Sequence, residues 1–544
     1  MRNKVVIFLL TILVIASILR LWKLGEVPIS PDWDEVSLGY NAYSIMQTGR
    51  DEYGKFMPVV LRSFDDYKPA LYSYLAVPSI YLFGLNVWAV RLPSVIFGVV
   101  AVFATFLLVK ELFKRNDLAL VSSFLLAISP WHIQFSRVAF ESNIGLAINI
   151  LAVLFFIKAF KRPLLLSVSA FLMAINLYAY QSEKVFTPLL LFSLVVIFRK
   201  ELFSIRKRFI FSALIVGFLV SLPMVTYLAT NKDSFGRARG VSIFSEPFPK
   251  GLADKTLNDM NNNDKLGLIL DNRRVVFAKT IVSGYISHFD LNWLFTRGDI
   301  ARHHAPNMGL MYLFELPFLF IGIYLLIFDS NKKAKALIMA WFLIAPIVAS
   351  ITTGVPHAIR TLNFLPTFQI FTAIGLIWTF SKLSSIKYRV LNINLKFLTI
   401  ILILLFSTFN FIYYLNQYFV QQNFYNAKEW QYGYEKLIHE VSKVNGIKKV
   451  VVSNQGHMDQ SYMFFLFYLK YPPKNYQSES ISASGGFREN HKFGIYDFRP
   501  IVWEKEIKAH DTIFIGKPSD FPGGISPISS VSYPDGQEAM RIVR

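Results

Sequence analysis

Long apolar blocks constrain this chain more than any other feature. They fall at about 5–22, 88–113, 117–130, 142–160, 164–180, 185–199, 209–229, 310–328, 336–351, 358–380 and 397–415, giving about eleven segments of near-bilayer length. A backbone in hydrocarbon must satisfy its own N–H and C=O groups, so each block reads as a helix. The whole chain of 544 residues is 53% hydrophobic. A soluble chain of that size would form several domains with more charge. The first block follows Arg2 and Lys4. A signal peptide has that start, but Lys23-Leu24-Gly25-Glu26 follows without a small-residue cleavage site, so the block reads as a retained first span.

Charge orients the spans. One alternate set of connections holds Lys114, Arg115, Lys158, Lys161, Arg162, Arg199, Lys200, Arg206, Lys207, Arg208, Lys332, Lys333, Lys335, Lys382, Lys387, Arg389 and Lys396, while the other short loops hold Arg137, Lys184 and Arg360. The basic set belongs to the cytoplasm, with the N-terminus. The net charge of +20 therefore reports topology and not a nucleic-acid partner. With no cysteine in the chain, disulfides, thiolate catalysis and Cys-based zinc sites are excluded.

Residues 70–84 are apolar but short and carry Pro78. A crossing there would put the basic loops outside, so the segment reads as interfacial or re-entrant. The outer side of the cell membrane then receives residues 23–87, residues 230–309 and everything after about 416. Residues 1–415 form the membrane module. Residues 416–544 alternate amphipathic and β-branched runs, among them 426–444, 448–452, 458–470 and 511–515, which predicts a small extracytoplasmic α/β domain. The polar, Asn-rich stretch from Lys250 to Asn272 reads as a mobile loop.

Chemistry gathers in the outward connections. Asp32, Asp34 and Glu35 precede a helical pattern that includes Tyr40. They cap and compensate that helix, or one of them acts as a general base whose pKa is raised at the membrane face. Asp65-Asp66-Tyr67-Lys68-Pro69 sets Lys68 before an apolar segment, as a snorkelling lysine or a cation for a phosphate. Arg137 and Glu141 are four apart, on one face of a helix, and either pair with each other or serve a site. Glu183 and Lys184 are a weaker instance. Residues 285–309 contain Tyr285, His288, Asp290, Arg297, Asp299, Arg302, His303 and His304. Adjacent histidines do not readily share one ion and close partner ligands are not evident, so this stretch reads as a polar rim, with contact to a phosphate or sugar as the alternative. Pro356-His357-Ala358-Ile359-Arg360 offers Arg360 as a second phosphate clamp.

In these residues the chain resembles the GT-C membrane glycosyltransferases, in the branch holding the protein O-mannosyltransferases and the lipid A aminoarabinose transferase. The resemblance rests on Asp34-Glu35 with the Tyr40 helix, Lys68-Pro69, Arg91-Leu92-Pro93-Ser94, Ser136-Arg137 with Glu141, Leu294-Phe295 through Arg302-His303, and Pro356-His357-x-x-Arg360. It runs over about the first 380 residues. Two positions depart from the family pattern: Ala70 stands where a second proline is common, and Glu141 where Asp is frequent. The resemblance implies a multi-pass helical protein that moves a sugar from a polyprenyl-phosphate donor to an extracytoplasmic acceptor hydroxyl, as a mannosyltransferase-like enzyme. No cofactor is required on this reading, and the sequence offers no support for a divalent metal. The acceptor is a protein, a lipid or a glycan. Asp34 would be the base, with Glu35 and Glu141 in support. Lys68, Arg137 and Arg360 would hold the donor phosphate, and Tyr40, Arg302, His303 and His357 would line the rim.

Two other readings remain open at this level. A transporter or flippase of lipid-linked glycans would need no transfer chemistry. Internal repeats and mid-bilayer charges mark that class, whereas this chain has no repeat and its charges collect at the outer face. An assembly factor built on the C-terminal domain would not need the carboxylates of the first loop.

Overall fold

The computed structural model describes residues 2–64, 66–231, 240–245, 251–385, 389–390, 393–479 and 490–544. Asp65, Lys250 and Lys387 lie outside the described residues. Seven helices among the described residues are long and apolar enough to cross a membrane: Asn3–Leu21, Val87–Phe113, Glu141–Ala159, Lys207–Thr230, Lys332–Ser350, Leu362–Leu383 and Lys396–Tyr425. The apolar pair Asn116–Ile128 and Pro130–Arg137, bent by 57°, brings the number to eight if it is counted as one span. The bend sits at Ser129, whose hydroxyl accepts the His132 N–H and caps the second piece, which opens on Pro130. Proline at the first helical position fits a new start.

Leu71–Phe83 is a helix of 13 residues, about 20 Å long and short of the roughly 30 Å hydrocarbon layer. It packs on the start of Val87–Phe113, where the Tyr72 hydroxyl donates to Val90 O (2.9 Å) and the Ser79 hydroxyl to Ala89 O (2.7 Å). The basic connections meet at one end of the bundle: Lys114 and Lys161 both bond Glu111, Lys333 pairs with Glu201, and Asn331 donates to Leu112 O. The acidic and histidine-bearing connections meet at the other.

Backbones come closest where Glu315–Ile327 crosses Thr367–Ser385. A Cβ on Gly322 would stand 1.7 Å from Phe371 O, and one on Gly375 would stand 2.0 Å from Phe318 O. Small residues let membrane helices approach to this degree. Gly375→Val should therefore push the helices apart and destabilise the bundle by about 1–3 kcal/mol or more, read as a lower midpoint of thermal unfolding in detergent. An unchanged midpoint would mean the crossing is not close-packed.

The stretch from Lys250 to Asn272, expected as a mobile loop, departs from that reading. It forms helices Leu252–Asn261 and Lys265–Leu270, and Asn272 then caps Arg273–Ser287 by accepting the Arg274 and Val275 N–H groups. Its Asn and Asp residues mark helix starts, which composition alone renders as a loop.

The C-terminal sheet has six strands in the order His491–Phe493, Tyr496–Phe498, Lys449–Val452, Thr512–Gly516, Glu538–Val543, Ser529–Ser532. Lys449–Val452 pairs parallel with both neighbours and the other pairs are antiparallel. Its helix Ser461–Tyr468 is buried on nearly every residue. One hydrophobic cluster joins Phe464, Phe467 and Val452 to Val36, Tyr40 and Val90, so sheet and first connection share a core.

Candidate active site

The helix Trp33–Thr48 carries the acidic motif. Asp32 is its N-cap: the carboxylate accepts the Glu35 N–H (2.9 Å), and the Glu35 carboxylate reaches back to the Asp32 N–H (3.4 Å). This reciprocal box satisfies two donors that a helix start leaves open. Gly49, left-handed at φ 69°, closes the helix.

The same box separates the three carboxylates. Glu35 is buried and accepts Arg91 Nε and Nη2 in bidentate fashion, each at 2.9 Å, with the Ala139 N–H also at 2.9 Å. Arg91 donates further to Leu24 O, Pro28 O and Ser30 O. Asp32 is buried and pairs with Arg302 Nη1 (2.9 Å), whose guanidinium lies 4.8 Å over the Trp33 ring. Burial pushes the Asp32 carboxyl up to about 6, with Asp34 adding to the shift and Arg302 opposing it. Asp34 alone of the three faces outward, with 33% of its side chain exposed, and it is bonded to the buried ammonium of Lys68.

Lys68 is the centre of charge in the site. Burial lowers its pKa, but Asp34, Asp66 and Glu141 outweigh burial and leave it raised. The neighbouring turn supports its strand: Gln181 donates to Tyr67 O (2.6 Å) and the Leu71 N–H to Tyr178 O (3.2 Å).

Arg137 and Glu141 do not share a helix face. The chain breaks at 138–140 between Pro130–Arg137 and Glu141–Ala159. The buried Arg137 guanidinium donates to Leu19 O, Arg20 O, Lys23 O and Val27 O at 2.8–3.2 Å and lies against the rings of Tyr418 and Phe419. It caps the end of the first helix, where the last carbonyls attract a cation. Arg360 donates to Thr352 Oγ1 (2.6 Å) and Thr353 O (2.7 Å) within its own hairpin. Tyr40 is buried away from the rim, its hydroxyl donating to Tyr471 O (3.0 Å). Glu183 is buried among Asn149, Asn176, Thr187 and Asn363, while Lys184 donates to Gln181.

The two adjacent histidines part ways. His303 Nδ1 lies 2.7 Å from Asp299 Oδ2, and His357 Nδ1 lies 4.0 Å from the same oxygen. His304 instead contacts Asp299 O and Ala305 O. Arg302 connects this cluster to Asp32.

The C-terminal segment holds the acidic helix at both ends. Gln431 accepts the Trp33 N–H (2.9 Å) and donates to Asp459 O (3.2 Å), while Gln477 donates to Ser44, Thr48 and Asp51 O. Asn426 donates to Ala301 O, next to Arg302.

Sequence reasoning gave no separate role to Arg91, Asp32, Asp66 or Asp299, and left out Gln431. Two carried readable signals: Asp32-x-x-Glu35 has capping-box spacing, and Arg91 is a charge inside an apolar helix. Gln431 carried none, being distant in sequence from the helix it holds.

A family model described as dolichyl-phosphate-mannose-protein mannosyltransferase matches residues 67–227. No curated protein sequence matches the chain. Among solved structures, ArnT from Cupriavidus metallidurans, both apo and bound to undecaprenyl phosphate, is similar with a TM-score of 0.54 at 11% identity, over 99% of this chain and 98% of that one. The archaeal oligosaccharyltransferase AglB from Archaeoglobus fulgidus, in complex with an inhibitory peptide and a dolichol-phosphate, is similar with a TM-score of 0.50 at 13% identity, over 84% of this chain. The chain spans 63% of that relative's length. Identities this low speak for the fold, and the family model adds residues 67–227. In that fold and that segment the chain is similar to membrane glycosyltransferases of this kind.

Proposed function

We propose that this protein moves a sugar from a polyprenyl-phosphate donor to an acceptor hydroxyl on the non-cytoplasmic side, with inversion at the anomeric carbon and Asp34 as general base. One observation carries the reading: the one outward-facing carboxylate of the acidic motif is bonded to a buried lysine at the end of the bundle opposite the basic connections. In support, one structural neighbour binds undecaprenyl phosphate and another a dolichol-phosphate. The family model names a mannosyltransferase, so mannose is the first sugar to test. The finer topology belongs to the same proposal: about eleven crossings, a membrane module over residues 1–415, and an extracytoplasmic α/β unit over 416–544.

The reaction follows from the charges. The acceptor O–H proton passes to the Asp34 carboxylate as the acceptor oxygen bonds to the anomeric carbon. The bond from that carbon to the phosphate oxygen breaks, and polyprenyl phosphate leaves with one more negative charge. A fixed cation stabilises that charge as it develops, and Lys68 is the buried cation in reach of Asp34. A donor phosphate competes for Lys68 and releases Asp34 from its ion pair, so the base becomes active when the donor is in place. Single displacement inverts the centre, as in inverting glycosidases. Glu35 acts as a positioning residue through Arg91, and Glu141 helps to hold Lys68. Arg302 bonds the acidic motif at Asp32 whereas Arg137 holds backbone carbonyls, so Arg302 replaces Arg137 as the second donor contact, beside Arg360.

Purified protein in lipid nanodiscs, given polyprenyl-phosphate mannose and a panel of hydroxyl acceptors, should release polyprenyl phosphate only when an acceptor is present. Movement of intact donor across liposomes without release would replace this reading by a flippase. Lys68→Ala should raise the donor KM by at least about tenfold, the loss of one charge-assisted contact of 1.5–3 kcal/mol. An unchanged KM would leave Lys68 as an anchor of its loop.

A further inference from the structure

We propose that Asp299, His303 and His357 form a binding site for a divalent transition-metal ion of the zinc class. The three side chains come from two connections that are distant in sequence. Each offers one donor atom, and these atoms all lie within 4.8 Å of one another. Four-coordinate zinc holds imidazole nitrogen and carboxylate oxygen at about 2.0–2.2 Å. Tetrahedral angles then put neighbouring donors about 3.3–3.5 Å apart. The observed separations bracket that value: Asp299 Oδ2 is 2.7 Å from His303 Nδ1 and 4.0 Å from His357 Nδ1. Shifts of under an ångström convert the cluster into a coordination sphere.

The donor set discriminates among ions. Two imidazoles and one carboxylate suit zinc, cobalt and their neighbours, whereas calcium and magnesium require mostly oxygen. Three protein ligands leave a fourth position open to water or another ligand.

The surroundings resemble the outer shell that orients metal ligands. The Ala358 N–H donates to Asp299 Oδ2 (2.6 Å). The His357 N–H donates to His288 Nε2 (3.2 Å), while His288 Nδ1 donates to Gly284 O (2.7 Å). The His303 ring packs against Phe135, Phe140 and His357 at centroid distances of 5.1–5.7 Å. These contacts fix the backbone on both sides of the cluster and limit rotation of the His303 ring. His304 faces its own loop and takes no part.

An ion here ties the connection bearing Arg302 to the hairpin bearing Arg360. Arg302 is the partner of Asp32, so the metal pins one side of the acidic motif without entering the proton transfer. The site is independent of the proposed transfer reaction, and its test does not use activity.

Tag-free protein, stripped with a chelator, is titrated with Co2+. One equivalent should bind and give the intense visible absorption of a four-coordinate cobalt centre, and Zn2+ should bleach it. His303→Ala and His357→Ala should each weaken Co2+ binding by more than about 100-fold, beyond the 10–100-fold that loss of an outer-shell partner brings. His439→Ala, at an exposed helix position, should leave binding unchanged. Asp299→Asn preserves shape and should weaken binding at least about tenfold, which keeps the test sound if a histidine variant misfolds. The proposal is overturned if wild type binds Co2+ no more tightly than these variants. Asp299 and His303 are then a hydrogen-bonded pair without a metal.

Discussion

Asp34→Asn should reduce transfer by about 100- to 10,000-fold, the range that a positioned general base contributes, with folding intact. The substitution keeps the size of the side chain and removes its capacity to take a proton. Folding is spared because the helix start is capped by Asp32 and Glu35 and not by Asp34. Lys68 keeps the carboxylates of Asp66 and Glu141, so its charge stays compensated. The check is an initial-rate assay with saturating polyprenyl-phosphate sugar, alongside thermal unfolding of both proteins. A variant within twofold of wild type would assign the proton transfer to another group. Asp32 would be next in line, and its carboxyl, pushed up to about 6 by burial, would impose an acid limb near that pH. The sign is set by linkage. A raised folded-state pKa means that the folded protein holds this proton more tightly than the unfolded chain. This group's contribution to stability is therefore fully present below the unfolded value of 3.8 and is lost as pH rises through about 6.

Arg91→Met should destabilise the fold by about 3–5 kcal/mol, the loss seen when one partner of a buried ion pair is removed. The arginine is fully buried, and it bonds Glu35 and the carbonyls of Leu24, Pro28 and Ser30. Methionine fills much of the volume but leaves the Glu35 carboxylate with two backbone N–H partners, from Ala139 and Asp32. Three buried carbonyls lose their donor as well. The double variant Arg91→Met/Glu35→Gln should recover part of the loss, because it removes the uncompensated charge. Thermal unfolding in detergent measures both. If the single variant melts with wild type, the pair does not hold the acidic motif, and Glu35 returns as a candidate for chemistry.

Much of the candidate site was visible in outline before the fold was known. Asp34, Lys68 and Glu141 come together, and Lys68-Pro69 and Glu141 fall inside the matched family segment. What local pattern could not separate was one cation from another. Lys68 and Arg137 look alike in sequence, each beside an apolar helix. Their roles differ because Arg137 meets the last carbonyls of a helix more than 100 residues away, while Lys68 meets carboxylates. The expected Arg137–Glu141 face failed for a local reason, a break at 138–140 where helical spacing no longer applies. Lys250 to Asn272 was misread because asparagine serves loops and helix caps equally well.

Hydropathy and charge, being properties of each residue and its near neighbours, settle what the sequence alone can settle: membrane helices, grouped basic connections, and an α/β pattern after the last of them. The Asp32–Glu35 box belongs there too, since a cap acts over three residues. Tertiary structure decided which carboxylate faces outward, which arginine holds backbone, and that Asp299, His303 and His357 share one spot. Those outcomes depend on partners brought close only when the helices pack, and no local pattern records which buried donor will find which acceptor.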